Sequence, residues 1–176
     1  ANVALVIWMV SHAFRPHATL LGPREFFGCA VAGLFSWTLS EYLLHRYLYH
    51  VWPSFLSQGH EFHHQRPRDL IGVPWYLTTI AIIALFETFT LFLRPSATGV
   101  VMGFNWLGYI FYCVSHHGSH HWRLRGGWLG RMKRHHLIHH AFPRYNWWFP
   151  TTLWDHVFRP YVARSPDAAR HGHQAD

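Results

Sequence analysis

The sequence predicts an all-α integral membrane protein, a bundle of about four transmembrane helices that carries a histidine-rich helical cap on its cytosolic side. Three observations predict this class. Half of the 176 residues are hydrophobic, and only 13% are charged, against about 25% in an average soluble domain. Four apolar segments follow one another along the chain. Thirteen of the 18 histidines fall in two short windows, residues 45–64 and 116–140.

The four apolar segments are the candidate transmembrane helices. A helix that spans a bilayer needs about 20 largely apolar residues. The segments at 26–44, 71–93 and 95–115 reach that length with at most one charged residue each, whereas the segment at 1–14 is short. The sequence Arg94-Pro95-Ser96-Ala97 predicts a tight turn between the last two segments, which therefore form a helical hairpin.

This hairpin is expected to place both histidine windows on the same side of the membrane. Twelve of the 15 Lys and Arg residues fall on that side, and only Arg15, Arg24 and Arg94 fall elsewhere. The positive-inside rule therefore predicts that the histidine side is cytoplasmic. A net charge of +7 in a chain rich in Phe and Trp favours an anionic membrane surface over nucleic acid as a partner. Residues 1–162 are expected to form one domain, followed by a polar, disordered tail at 163–176.

The histidines repeat one pattern twice, a pair followed by HxxHH. The residues concerned are His45, His50, His60, His63, His64, His116, His120, His136, His139 and His140. Positions i, i+3 and i+4 lie on one helical face, so each HxxHH is expected to direct three imidazoles at one place. Imidazole is the commonest metal ligand in proteins, and ten imidazoles fit two ions at about five each. The sequence therefore predicts a dinuclear metal site.

Each histidine pair leaves one question open. His45 and His50 lie about 140° apart around an ideal α-helix. They share a face only if the helix ends or bulges between them; otherwise they reach different metals. The second pair has an alternative register, because His117 and His121 have the same spacing as His116 and His120.

Four carboxylates are placed where they could orient ligand histidines through the second ring nitrogen. Glu41 precedes His45 by one helical turn, and Glu61 lies inside the first HxxHH motif. Asp69 follows that motif, and Asp155 lies beyond the second one. A surface charge or a helix-capping role is the alternative for each of them.

These motifs resemble the membrane fatty acid hydroxylase and sterol desaturase superfamily of histidine-box di-iron oxygenases. The similarity covers residues 37–160 and rests on EYLLHRYLYH (41–50), GHEFHH (59–64), YCVSHHGSHH (112–121), HHLIHH (135–140) and NWWFPTTLWDHVF (146–158). It implies that the ten histidines hold two Fe²⁺ ions beside a helical membrane bundle, with O2 as co-substrate. Because an all-nitrogen site does not select iron by affinity, zinc can replace it in purified protein.

The resemblance also implies a function. The expected activity is hydroxylation of an unactivated C–H bond of a fatty acyl chain or lipid, with electrons from a separate cytochrome b5-like or ferredoxin and reductase donor. A lipid or sterol desaturase, or a carotenoid hydroxylase, is the alternative with the same site, and a membrane metal transport or storage protein is a more distant one. The family usually has small residues after Asn146; here Trp147, Trp148 and Phe149 are expected to line the substrate site. The Arg-rich, Lys-poor composition favours a bacterial inner membrane over the endoplasmic reticulum.

Overall fold

All regular secondary structure in the described part of the chain is helical. The computed structural model describes residues 2–14, 19–70, 72–147, 149 and 151–163, and no strand occurs among them, which confirms the predicted all-α class. Its α-helices are α1 (Asn2–Ser11), α2 (Pro23–Leu43), α3 (Phe55–Gln65), α4 (Trp75–Thr90), α5 (Pro95–His121), α6 (Gly127–Ala141) and α7 (Leu153–Val157). A 3₁₀ turn at His12–Phe14 follows α1, and a π-helix at Leu44–Tyr49 continues α2.

Two helical stretches are long and apolar enough to cross a membrane, judged by length and composition. They are Pro23–Tyr49 and Pro95–His121, with 27 residues each. The other two apolar segments also form helices, but α1 has 10 residues and α4 has 16. The four predicted segments are therefore all helical, and the prediction that all four span a membrane stays a prediction.

The turn of the hairpin lies earlier than the sequence suggested. Helix α4 ends at Thr90, and α5 begins at Pro95, so residues 91–94 make the turn and Pro95, Ser96 and Ala97 form the first turn of α5. Proline is favoured at this position because its missing N–H would have no partner inside the helix, and its fixed φ suits helical geometry. The proline that marked the turn thus marks the start of the next helix.

The chain forms two compact units, each made of two separate stretches. The first unit comprises Ala1–Ser40 and Gly72–Phe111, and the second comprises Glu41–Ile71 and Tyr112–Asp176. All ten histidines predicted as metal ligands belong to the second unit. The single domain at 1–162 stays a prediction, and the predicted tail lies outside the described residues from position 164 onwards.

Close helix contacts shape the first unit. Its larger buried cluster consists of Met9, Ile82, Phe86, Met102 and Trp106, and a smaller one contains Ala30 and Val100. A Cβ atom on Gly33 of α2 would collide with the backbone carbonyl oxygen of Val101 in α5, and a Cβ on Gly108 would lie 2.6 Å from the Trp37 ring. Small residues let helices approach closely where lipid rather than water surrounds them. These close contacts leave no room for a Cβ atom, and they therefore require glycine at both positions.

We expect Gly33→Ala to destabilise the first unit, because α2 and α5 must separate to admit the methyl group. Overpacking of this kind lowers the free energy of unfolding by about 1–3 kcal/mol. Gly28→Ala in the same helix is the matched control, since its Cβ would meet nothing within 4 Å and alanine favours helix. Denaturant unfolding followed by circular dichroism in detergent measures both. Equal stabilities of the two variants would contradict the close contact.

Candidate metal centre

The ten predicted histidines meet in two groups within the second unit. We name as the first cluster His45, His50, His60, His64 and His139, and as the second cluster His63, His116, His120, His136 and His140. In each cluster, five ring nitrogens, one from each residue, lie within 4.8 Å of one another. The structure therefore brings together all ten residues, in two sets of five.

The two HxxHH motifs exchange their middle histidines. In the first motif, His60 and His64 join the first cluster, whereas His63 joins the second. In the second motif, the middle residue, His139, crosses over to the first cluster. The prediction that each motif directs three imidazoles at one place was wrong. Positions i and i+4 are about 40° apart around a helix but position i+3 is about 100° from i+4, so one helix can supply two neighbouring sites.

A π-helical turn aligns the first histidine pair. Residues Leu44–Tyr49 form a π-helix, and the Trp52 N–H donates to the Tyr47 carbonyl 2.8 Å away, across five residues. Bonding from i to i+5 widens the helix locally, so residues five apart come to nearly the same face. His45 and His50 accordingly reach the same cluster. Of the two alternatives left open by their spacing, the bulge is correct.

The second pair adopts the ordinary i, i+4 spacing. His116 and His120 of α5 both belong to the second cluster. His117 and His121 are exposed and stack on each other with ring centroids 4.2 Å apart. The alternative register is therefore a solvent-facing pair.

Hydrogen bonds at the outer ring nitrogens fix two imidazoles of the first cluster. Nδ1 of His45 lies 2.5 Å from the Trp147 carbonyl oxygen, and Nδ1 of His139 lies 2.8 Å from that of Tyr145. A carbonyl oxygen can only accept, so each Nδ1 carries the proton and donates it. In a neutral imidazole the other nitrogen, Nε2, then offers a bare lone pair. This is the tautomer that a metal ligand requires.

The inner nitrogens of the first cluster crowd around His60. Its Nε2 lies 3.1 Å from Nε2 of His45, 2.9 Å from that of His50 and 3.1 Å from that of His64. A ring nitrogen makes one hydrogen bond in the plane of the ring, as donor or as acceptor. Hydrogen bonding therefore cannot satisfy three such contacts at once, whereas a cation between the nitrogens can.

The second cluster has the same character. Nε2 of His136 lies 2.9 Å from that of His120 and 3.1 Å from that of His140. Nε2 of His63 and of His116 is buried, and neither atom has a hydrogen-bond partner among the described residues. Buried polar atoms without partners are rare and call for a ligand or an ion. The donor set of five imidazoles fits a divalent transition metal.

Burial keeps these imidazoles neutral. Desolvation lowers the pKa of His50 to about 3 and that of His63 to about 4, with a smaller contribution from the charge of nearby His64. The pKa values of His136 and His139 lie well below the ordinary value, first through burial and then through neighbouring histidines. Each of these imidazoles is therefore neutral at neutral pH and keeps one ring nitrogen bare for a metal.

Asp155 is connected to the first cluster by hydrogen bonds that run through the backbone of Trp147. This carboxylate is fully buried; its Oδ1 accepts the Trp147 N–H at 2.8 Å, and its Oδ2 lies 2.9 Å from His135 Nε2. Because the carbonyl of Trp147 accepts from His45, Asp155 holds the peptide segment that orients that imidazole. The role of Asp155 in orienting a ligand histidine stays a prediction. The hydrogen bonds of the Trp147 backbone are the route by which it would act.

The other three carboxylates differ in placement. Glu41 is buried, with Oε1 3.7 Å from His45 Nδ1. Glu61 is exposed and accepts a hydrogen bond from Gln65 at 3.1 Å. Asp69 is also exposed. Glu41 is thus the one of these three that is buried against a cluster imidazole.

Aromatic rings cover both clusters. The Trp147 ring centroid lies 4.7 Å from that of His50, and the Phe149 centroid lies 5.0 Å from that of His136. Both aromatic residues are almost completely buried. Trp148, predicted with them to line the substrate site, lies outside the described residues. The lining role of all three stays a prediction.

Two residues of the site were not predicted from the sequence. Asn146 is buried with φ of 57°, and its side-chain amide exchanges two hydrogen bonds with the backbone of Val162, at 3.0 and 2.9 Å. Asparagine tolerates this left-handed conformation better than most residues. His135 pairs with Asp155 and belongs to neither cluster. The sequence offered one signal for the separate role of His135, which is the doubled His135-His136. Adjacent residues of a helix point in different directions, so these two side chains were not expected to reach the same site.

Comparisons with known proteins identify the architecture. The sequence model of the fatty acid hydroxylase family matches residues 30–160. The chain is 31% identical to fatty acid 2-hydroxylase of Rattus norvegicus over 170 residues, which cover 87% of the chain and 44% of that protein. It is 35% identical to ceramide very long chain fatty acid hydroxylase scs7 of Schizosaccharomyces pombe, over 73% of the chain and 40% of that protein.

A solved structure shows the same fold. It is full-length scs7p with only the hydroxylase domain visible, and it superposes with a TM-score of 0.78 at 26% sequence identity. The match covers 91% of this chain and 63% of that one. The chain spans less than half the length of the Rattus norvegicus and Schizosaccharomyces pombe relatives.

The exchange of middle histidines predicts how metal content responds to double substitutions. His60→Ala/His139→Ala removes two ligands from one cluster, so we expect about one of two metal ions to remain per chain. His60→Ala/His63→Ala removes one ligand from each cluster, so both sites should weaken and the retained metal should fall further. Plasma mass spectrometry of freshly purified protein measures this, with His117→Ala/His121→Ala as the control that keeps both ions. The reverse ranking would show that each motif builds its own site.

Asp155→Ala should weaken metal binding at the first cluster, because the Trp147 carbonyl then loses its fixed position on His45. Loss of such outer contacts lowers metal affinity by about 10–100-fold. Asp155→Asn should be milder, since its amide oxygen can still accept the Trp147 N–H. The matched control is Asp69→Ala, which removes an exposed carboxylate. Competition with a chelator measures the affinity, and an Asp155→Ala affinity equal to the control's would exclude the backbone route.

Proposed function

The chain belongs to the fatty acid hydroxylase family, and we propose that it is a membrane oxygenase that hydroxylates the acyl chain of a fatty acid or lipid, at carbon 2. The pair of five-nitrogen clusters carries this proposal, because hydroxylation of an unactivated C–H bond needs a metal centre that handles O2. The fatty acid 2-hydroxylase and ceramide hydroxylase names of the relatives support the substrate class.

We propose that each cluster holds one iron ion through its five histidines. When bound, the iron pair supplies the activation of O2 and the removal of hydrogen from the C–H bond. Iron suits this chemistry because it changes oxidation state, which zinc does not. Affinity alone does not exclude zinc from purified protein.

The remaining roles fall to residues of the chain itself. His45 and His139 hold their protons at Nδ1 against backbone carbonyls, which keeps both Nε2 atoms bare. Asp155 accepts the N–H of Trp147 and so fixes the residue whose carbonyl accepts the hydrogen bond from His45 Nδ1. The buried rings of Trp147 and Phe149 exclude water beside the clusters and offer an apolar wall to an acyl chain. We also propose a substrate-lining role for Trp148.

The reaction balances with an external reductant. One oxygen atom of O2 enters the C–H bond as a hydroxyl group, and the other becomes water with two protons and two electrons. A separate electron donor must therefore supply two electrons per turnover.

We propose that residues 1–162 form a single domain in a bacterial inner membrane. This domain would have four spans, and both clusters would lie on the cytoplasmic side. The two long apolar helices support membrane insertion.

The test is incorporation of isotopic oxygen into lipid. Protein in nanodiscs is supplied with palmitoyl ceramide or free palmitate, a reductant and ¹⁸O2, and released fatty acids are analysed by mass spectrometry. We expect one ¹⁸O at carbon 2. His63→Ala removes a ligand and should lower product formation by more than the about 10–100-fold that loss of an outer contact costs, whereas the exposed His121→Ala should match the unsubstituted protein.

Two results would contradict this function. A double bond without added oxygen would identify a desaturase with the same metal centre. Protein that retains both metals but oxidises none of the supplied lipids would favour metal transport or storage.

A further inference from the structure

A basic surface lies beside the second cluster. A cavity of about 440 Å³ opens there, and its lining includes Arg68, Arg123, Arg125 and Lys133 together with Trp122 and His120. We name these six residues the basic patch. Among the described residues that line the cavity there is no carboxylate to offset the four positive charges.

The aromatic member of the basic patch is held in place. The Trp122 ring lies against Gly118 of α5, where a Cβ atom would come within 2.5 Å of the indole. The Lys133 ammonium donates to the Trp122 carbonyl oxygen at 2.8 Å. About half of Trp122 is nevertheless exposed. A rigid, exposed Trp beside Arg side chains is the composition typical of protein–protein hot spots.

The basic patch reaches the second cluster through one residue. His120 lines the cavity, and its Nε2 lies 2.9 Å from that of His136 inside the cluster. A redox group bound at the cavity would therefore have one imidazole between itself and the metal site.

The exposure of the charges favours a protein over a small anion. Arg68, Arg123 and Arg125 are exposed and Lys133 is partly exposed, so no cationic side chain is buried around an enclosed anion site. Exposed charges of one sign steer an oppositely charged protein and speed its association. The patch therefore matches an acidic macromolecular surface.

We propose that the basic patch is the docking surface for an acidic electron-transfer protein, which delivers electrons to the second cluster through His120. This inference rests on the proposed function. Two molecules of a one-electron carrier are oxidised per turnover, and the two electrons and two protons reduce one oxygen atom of O2 to water while the other enters the substrate.

Binding tests the surface directly. The probes are a soluble cytochrome b5 domain and a [2Fe–2S] ferredoxin, both acidic, each titrated onto the full chain in nanodiscs. Arg123→Glu/Arg125→Glu should raise the dissociation constant of the donor that binds about tenfold or more. Arg131→Glu/Arg134→Glu is the matched control, with the same change in charge at two exposed arginines of α6 outside the patch. Equal weakening in both variants would overturn the proposal.

Turnover with two reductants separates this inference from the proposed function. Arg123→Glu/Arg125→Glu should lose hydroxylation driven by the protein donor but keep hydroxylation driven by dithionite. Equal loss with both reductants would indicate structural damage and contradict docking.

If the unsubstituted protein hydroxylates with neither reductant, the proposed function fails. The binding result then still decides whether the basic patch docks a protein. Binding of phosphatidylglycerol vesicles through the same arginines, without binding of either probe, would make the patch a lipid contact and overturn the proposal.

Discussion

Convergence of ten imidazole nitrogens on two points is the constraint on which the second unit depends. Burial of so many polar rings is unfavourable unless each nitrogen has a partner, and the hydrogen-bond geometry provides partners only at some of the outer nitrogens. Backbone carbonyls accept hydrogen bonds from Nδ1 of His45 and of His139, so the inner Nε2 atoms of these two residues present bare lone pairs to their neighbours. That arrangement is favourable only around cations. The positions of α3, α6 and the segment around Trp147 can all be understood as consequences of meeting this requirement.

The exchange of middle histidines makes the two sites depend on the same pair of helices. His63 of α3 joins a cluster otherwise supplied by α5 and α6, and His139 of α6 joins one supplied by α3 and the residues before it. Each metal would therefore link α3 to α6 by itself. Because metal binding to such a set contributes free energy to folding, one bound ion would already hold the two motif helices together and leave the other site partly formed.

The sequence predicted the ten histidines, but it did not predict how they are divided. The histidines could be predicted because their residue type and their repeated spacing are visible in the sequence. The helices could be predicted because the apolar runs are visible in the same way. The division depends on how α3 and α6 face each other and on a π-helical turn that the His45–His50 spacing permits without requiring. Asn146 and the His135–Asp155 pair escaped prediction because their partners are distant in sequence. The start of α5 at Pro95 could have been predicted from the sequence, since proline marks a helix start as readily as a turn.

The two clusters differ in their surroundings, and this difference bears on where electrons enter. Beside the first cluster, at His50, a second cavity of about 450 Å³ is lined by Trp52, Phe62 and Glu61 and, within the described chain, by neither Lys nor Arg. An acidic donor would meet a carboxylate there, whereas at the basic patch it meets four cations. Since like charges disfavour association and opposite charges favour it, electrostatics alone directs such a donor to the second cluster. The surface by His50, where Trp52 and Phe62 line the cavity, then remains free to receive an apolar ligand, so electron entry and substrate entry would not compete for one opening.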